Sequence, residues 1–144
     1  MVPSSTSRPW WLRVKGKKAE FMLAKLLRRR GWFVVRGPAS GARGVRFTYP
    51  DIVAVKKGRV IVGEVKLRKH VDTIHIPSRQ IKVLEDAAER SGGEAYVFVW
   101  ISAERKWYVF PTNTLQPQQH ERGPRYVITK SMYASALTLY DLNL

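Results

Sequence analysis

Apolar positions recur at helical spacing early in the chain. Ala19, Leu23, Leu26 and Leu27 stand at i, i+4, i+7 and i+8, one face of a helix predicted over residues 15–30. Arg28, Arg29 and Arg30 suit its C-terminus, and Gly31 ends it. Residues 1–14 carry Pro3, Ser4, Ser5, Ser7 and Pro9 and end in Trp10-Trp11, the pattern of a flexible N-terminal arm. A short β run covers 32–36. Gly37, Pro38, Gly41 and Gly44, with Arg43 and Arg46, make the stretch to Tyr49 a basic loop.

Residues 51–56 and 59–67 read as two strands turning at Lys57-Gly58. A second helix is predicted over 77–90, with Pro77 in its first turn and Ser91-Gly92-Gly93 after it. Strands at 95–101 and 106–110 form an expected hairpin. Beyond residue 111 the pattern weakens: 125–129 reads as an edge strand and 131–136 as a short helix. The order of elements predicts an α/β fold, a single domain over 15–144 with a central mixed β-sheet flanked by helices.

Composition fits that picture, since 44% hydrophobic and 26% charged residues exclude a disordered chain. Charge changes it. The first 70 residues hold 18 Lys and Arg against three acids, and the other 74 hold 8 of each. The net charge of +15 therefore belongs to the first half, which points to a nucleic acid partner. Lys15, Lys17, Lys18, Lys25, Arg36, Arg43, Arg46, Arg68 and Lys69 are the candidate phosphate contacts, with Lys56, Lys57 and Arg59 behind them. The absence of cysteine excludes disulfides, thiolate zinc sites and a Cys nucleophile. No apolar run is long enough to span a membrane, and no signal peptide pattern appears, so a cytoplasmic, DNA-associated protein is expected. His70, His75 and His120 have no metal-like spacing. The Gly-rich loop lacks the P-loop pattern, so no nucleotide cofactor is expected.

The three acids on the basic half are Glu20, Asp51 and Glu64. A symmetric turn at Lys57-Gly58 pairs positions that sum to 115, which sets Val55 against Val60, Val53 against Val62, and Asp51 against Glu64. Opposed side chains lie about 5 Å apart at Cβ. Lys66 falls two residues beyond Glu64 on the same face. Two opposed carboxylates repel, and a divalent cation with oxygen ligands removes that penalty. The plain alternative is a cross-strand ion pair of Lys66 with either acid. Glu20 borders the apolar stripe of its helix.

Pro50-Asp51 followed by Glu64-Val65-Lys66 in an apolar hairpin, behind an acid-bearing helix, resembles the PD-(D/E)xK nuclease superfamily. Lys15-Gly16-Lys17-Lys18-Ala19-Glu20, Gly31-Trp32-Phe33-Val34-Val35-Arg36, Ala39-Ser40-Gly41, Pro50-Asp51-Ile52-Val53-Ala54 and Ser91-Gly92-Gly93-Glu94-Ala95-Tyr96-Val97 narrow the resemblance to archaeal Holliday junction resolvases, over about residues 14–110.

The resemblance implies a restriction-endonuclease-like fold. It also implies a homodimeric, Mg²⁺-dependent endonuclease (Mn²⁺ able to substitute) that makes paired cuts in four-way DNA junctions. Carried over by motif, Glu20, Asp51 and Glu64 form the acidic metal site with the Val65 carbonyl, Lys66 is the catalytic lysine, and Ser40 assists. Arg36 lies near the scissile strand, and Gln80 is a possible accessory on the second helix. Phe21 stands where some relatives carry Arg, and the stretch 44–49 looks longer than in compact relatives. The alternatives are another repair or restriction-type endonuclease of the same superfamily, or a non-catalytic architectural DNA-binding protein on the same fold.

Overall fold

The computed structural model describes residues 10–37 and 49–144, with side chains in the first helix from residue 17 onward. That helix, α1, runs Trp10–Arg29. It starts five residues earlier than the arm reading of 1–14 allows: Gly16 costs a helix interior roughly 1 kcal/mol, yet the helix continues through it. Ala19, Leu23, Ala24 and Leu27 are its buried stripe, with Leu26 half-buried beside them.

After β1 (Phe33–Arg36) the chain reaches β2 (Ile52–Lys56) and β3 (Arg59–Arg68). Lys57 and Gly58 both have positive φ, +48° and +83°, the two-residue hairpin turn that matches strand twist. The register follows: Val55 pairs with Val60 and Val53 with Val62. β4 (Ile74–Pro77) leads directly into α2 (Ser78–Ser91), and β5 (Glu94–Ile101) and β6 (Lys106–Pro111) complete the core. Gly92, in the left-handed region, closes α2 by donating to the carbonyls of Ala88 and Glu89.

The main sheet has the order β1-β2-β3-β5-β6. Only β3 and β5 run parallel, joined by the crossover through α2, so the sheet is mixed. Its two faces bury separate cores. Ile61, Val65 and Phe98 face α1, while Val62, Val97 and Val99 face α2 with Ile81 and Leu84. β3 and β5, covered on both faces, read as near-continuous apolar runs for that reason.

A second, three-stranded sheet has the order β4-β8-β7, with β7 at Gln116–Gln118 and β8 at Arg125–Ile128. The expectation of an edge strand at 125–129 is corrected here: β8 is the central strand, paired with β4 on one side and β7 on the other. The predicted helix at 131–136 is a 3-10 turn at Lys130–Ser135.

Candidate active site

β2 ends toward the site at Ile52, paired with Gly63. Asp51 continues one residue past that pair. Its Oδ2 accepts the backbone N–H of Val65 at 2.9 Å, which fixes the carboxylate beside Glu64. Two glycines make this approach possible. A Cβ on Gly37 would lie 2.3 Å from the Pro50 carbonyl oxygen, where the end of β1 passes Pro50-Asp51. A Cβ on Gly63 would lie 2.5 Å from the Phe98 ring, so the strand beside Glu64 seats on that ring only without a side chain. Within an extended strand the N–H and C=O of one residue point to the same edge. The Val65 carbonyl therefore also faces the opening beyond the start of β2.

Glu64 is buried, and its Oε1 lies 3.5 Å from Lys66 Nζ. Burial first, then the charge of Asp51, pushes its carboxyl up to about 8, and Lys66 only partly opposes this. Lys66 Nζ donates to Gln80 Oε1 at 3.2 Å, which brings the first turns of α2 into the site. Glu20, half-buried, arrives from α1 on the other face of the sheet. Burial first, then Asp51, raises it to about 7, while Arg36, Lys17 and Lys66 lower it. Among the described residues no three carboxylates or imidazoles converge into one cage. The arrangement is a close carboxylate pair, Asp51 with Glu64, and a third acid that senses Asp51 from the α1 side.

The donor set fits a hard divalent cation. Two carboxylates repel across the pair, a backbone carbonyl is available, and an octahedral Mg²⁺ ordinarily takes only one or two protein carboxylates. Arg36 donates to the Lys17 carbonyl at 3.1 Å and its guanidinium sits 6.0 Å over the Phe21 ring. Arg36, Lys17 and Glu20 are thereby brought together. Phe21, the departure noted in the sequence, serves as a platform for that arginine; nothing in the sequence pattern signals this role. Lys18 is exposed on the same turn of α1. Arg68, just past Lys66 on β3, donates to the Leu67 carbonyl, and exposed Lys69 follows the end of the strand. Lys25 is exposed farther along α1, away from the carboxylates. Lys15 lies in α1 but its side chain is outside the described residues, as are Ser40, Arg43 and Arg46.

The mixed-sheet α/β fold is of the restriction-endonuclease-like class. A family model for archaeal Holliday junction resolvases (Hjc) matches residues 12–143. The chain belongs to the archaeal Holliday junction resolvase (Hjc) family. It is 31% identical over 128 residues to the crossover junction endodeoxyribonuclease Hjc of Sulfurisphaera tokodaii, covering 89% of this chain and 85% of that one. To the Sulfolobus acidocaldarius protein of the same name it is 35% identical over 98 residues, 68% of each chain. The solved structure of Archaeoglobus fulgidus Hjc, a Holliday junction resolvase from an archaeal hyperthermophile, superposes with a TM-score of 0.71 at 27% identity. That match covers 89% of this chain and 94% of that one. D212, a nuclease from a fusselovirus, matches at TM-score 0.54 and 13% identity over 99% and 92% of the two chains, a likeness of fold alone. No helix among the described residues is long and apolar enough to cross a membrane.

Proposed function

We propose that this chain is a structure-selective endonuclease that resolves four-way DNA junctions by divalent-cation-dependent phosphodiester hydrolysis. The observation that carries the reading is the Asp51–Glu64 pair held at the opening beyond β2, with Lys66 at 3.5 Å from Glu64. A pure DNA-binding protein gains nothing from buried carboxylates set among phosphate-binding bases.

Asp51, Glu64 and the Val65 carbonyl are the residues that would hold Mg²⁺, or Mn²⁺ in its place, with Glu20 able to contribute from the α1 side. A bound cation of this kind polarises a phosphodiester and lowers the pKa of its water. The remaining work belongs to the protein. Lys66 presents an ammonium point charge toward a phosphoryl oxygen or the attacking water. Gln80 accepts from Lys66 and so fixes where that charge sits. Arg36, held by the Lys17 carbonyl and the Phe21 ring, supplies a guanidinium for the neighbouring phosphate. Lys17, Lys18, Lys25, Arg68 and Lys69 carry the flanking backbone, joined by Lys15, Arg43 and Arg46, with Ser40 assisting. One site cuts one strand. A two-fold homodimer presents two such sites to a two-fold-symmetric junction, which gives paired cuts.

The deciding experiment is cleavage of a labelled four-way junction beside a matched linear duplex, with Mg²⁺ and with EDTA. Cleavage only with metal, and a wide preference for the junction in competition, is the expected outcome. Equal cleavage of both DNAs sinks junction selectivity, and absence of any cleavage sinks the catalytic reading.

A further inference from the structure

We infer that the C-terminal end of the outer face of α1, together with the β2–β3 turn beside it, carries the phosphate-binding surface on along one duplex arm beyond the cleavage site. This rests on the reading of the chain as a DNA endonuclease. The two helices on opposite faces of the main sheet differ sharply in charge. α1 carries Arg13, Lys15, Lys17, Lys18, Lys25, Arg28 and Arg29 against one acid, Glu20, which lies at its buried edge. α2 balances Arg79, Lys82 and Arg90 with Glu85, Asp86 and Glu89, and pairs Arg90 with Asp86. Both helices bury an apolar stripe, so burial does not explain the contrast.

Lys18, Lys25 and Arg29 stand at i, i+7 and i+11, one outward row of α1, and all three are exposed. The row does not stop where the helix does. Arg30 is exposed, and its carbonyl accepts Lys56 Nζ at 2.6 Å, which joins the helix end to the hairpin turn. Lys57, at the tip of that turn, is exposed too. Helix end and turn therefore present one continuous basic pole. Among the described residues no ion pair involves Lys18, Lys25, Arg29, Arg30 or Lys57.

The helix dipole favours cations in the last turn of α1, which accounts for Arg28 and Arg29 but not for Lys18, Lys25 or a lysine on another element. Lys25 and Arg29, four residues apart, repel each other on the helix surface. A polyanion turns that repulsion into attraction. From Lys18 to Arg29 the row is about 16 Å long at 1.5 Å per residue. Its near end is level with Glu20 and the active site. At 3.4 Å of rise per nucleotide along one strand, it follows roughly five base pairs of backbone. The occupant is thus a duplex arm leaving the cut site.

The test uses the full chain with Arg29→Gln, Arg30→Gln and Lys57→Asn combined, replacements that keep helix and turn geometry. Fluorescence anisotropy would give the dependence of log Kd on log salt for four-way junctions with arms of about 20 base pairs and of about 4, the short arms closed by uncharged glycol linkers that keep the junction assembled. Each phosphate contact adds about 0.9 to the slope on duplex DNA. The variant is expected to lose about 2–3 from the slope on long arms and nothing on short ones. An unchanged slope on long arms overturns the inference, and so does an equal loss on short arms. So does weakening confined to duplex RNA or anionic vesicles. A linear duplex of about 20 base pairs reads the same slope loss whether or not junctions are cut. Failure of the arm surface is thereby separable from failure of the resolvase reading.

Discussion

Raising the pH of the metal-free protein from about 5 to about 8 is expected to destabilise it, through Glu64. Burial, and then Asp51, lifts this carboxyl from 4.5 to about 8. Between those values the folded protein holds a proton that the unfolded chain has released. The associated stability is fully present below about 4.5 and is lost as the pH rises through about 8. Glu20, raised to about 7 by burial and by Asp51, acts with the same sign. Each tenfold gain in proton affinity on folding is worth about 1.4 kcal/mol, so Glu64 sets a ceiling of about 5 kcal/mol. Shared titration with Asp51 and local relaxation bring the expected loss to about 1–3 kcal/mol. Glu64→Gln, a neutral isostere, isolates the effect. In EDTA the variant should match wild type near pH 5 and exceed it by that amount near pH 8. Guanidinium denaturation followed by circular dichroism at both pH values supplies the four stabilities, and the double difference cancels the titrating groups that do not interact with Glu64. Added Mg²⁺ near pH 8 should then stabilise wild type, by about 2.7 kcal/mol at a hundredfold excess over its Kd, and should leave the variant largely unmoved. An equal stability difference between variant and wild type at the two pH values refutes the reasoning.

Lys66→Met should lower the single-turnover rate on a saturated four-way junction by roughly a hundredfold or more, the scale of losing one preorganised charge at the reacting phosphate. Anisotropy should show binding within a few-fold of wild type. Gly63→Ala forces a Cβ to within 2.5 Å of the Phe98 ring, which is itself fully buried. Overpacking of this kind costs about 1–3 kcal/mol, visible as a lower denaturation midpoint. Arg59→Met removes the bidentate contact to Glu94 and the hydrogen bond to the Asn143 carbonyl. With side chains 32% and 37% exposed the pair is partly screened, so the loss should stay under about 1 kcal/mol. Faster amide exchange over Tyr140–Leu142 would show that this contact tethers the C-terminal turn.

The hairpin carrying the site is legible in the sequence because two independent local signals agree. Apolar runs of Val and Ile mark the two strands, and Lys57-Gly58 favours a tight, symmetric turn, so the positions opposite each other follow by counting. The stripe from Ala19 to Leu27 is legible for the same kind of reason. The small sheet is not. Ile74 and Ile76 alternate correctly, but β4 is four residues long and runs straight into α2, where Pro77 reads as a helix start. β7 has no buried residue and contains Pro117, so it carries no hydrophobic period at all. Without those two partners β8 reads as an edge. The N-terminal end of α1 is hidden because Gly16 and the Ser/Pro-rich residues before Trp10 argue against a helix locally, and local propensity does not decide the outcome.

The ion pair between Lys66 and Glu64 is the plain alternative that the sequence offers for these residues, and it is present at 3.5 Å. The two readings nevertheless separate on electrostatics. A lysine sufficient to neutralise Glu64 would hold the carboxyl at or below its ordinary value, as Arg59 does for Glu94. Glu64 instead sits well above it, because burial and the facing Asp51 together outweigh Lys66. Lys66 is also shared with Gln80, so part of its donor capacity points away from the acids. A structural salt bridge would need only one carboxylate, and the fold places two there, with a glycine on each side of the approach where any side chain would intrude. Lys66 alone therefore leaves Glu64 holding its proton near neutral pH, and a divalent cation is the ligand that would displace that proton and hold both carboxylates.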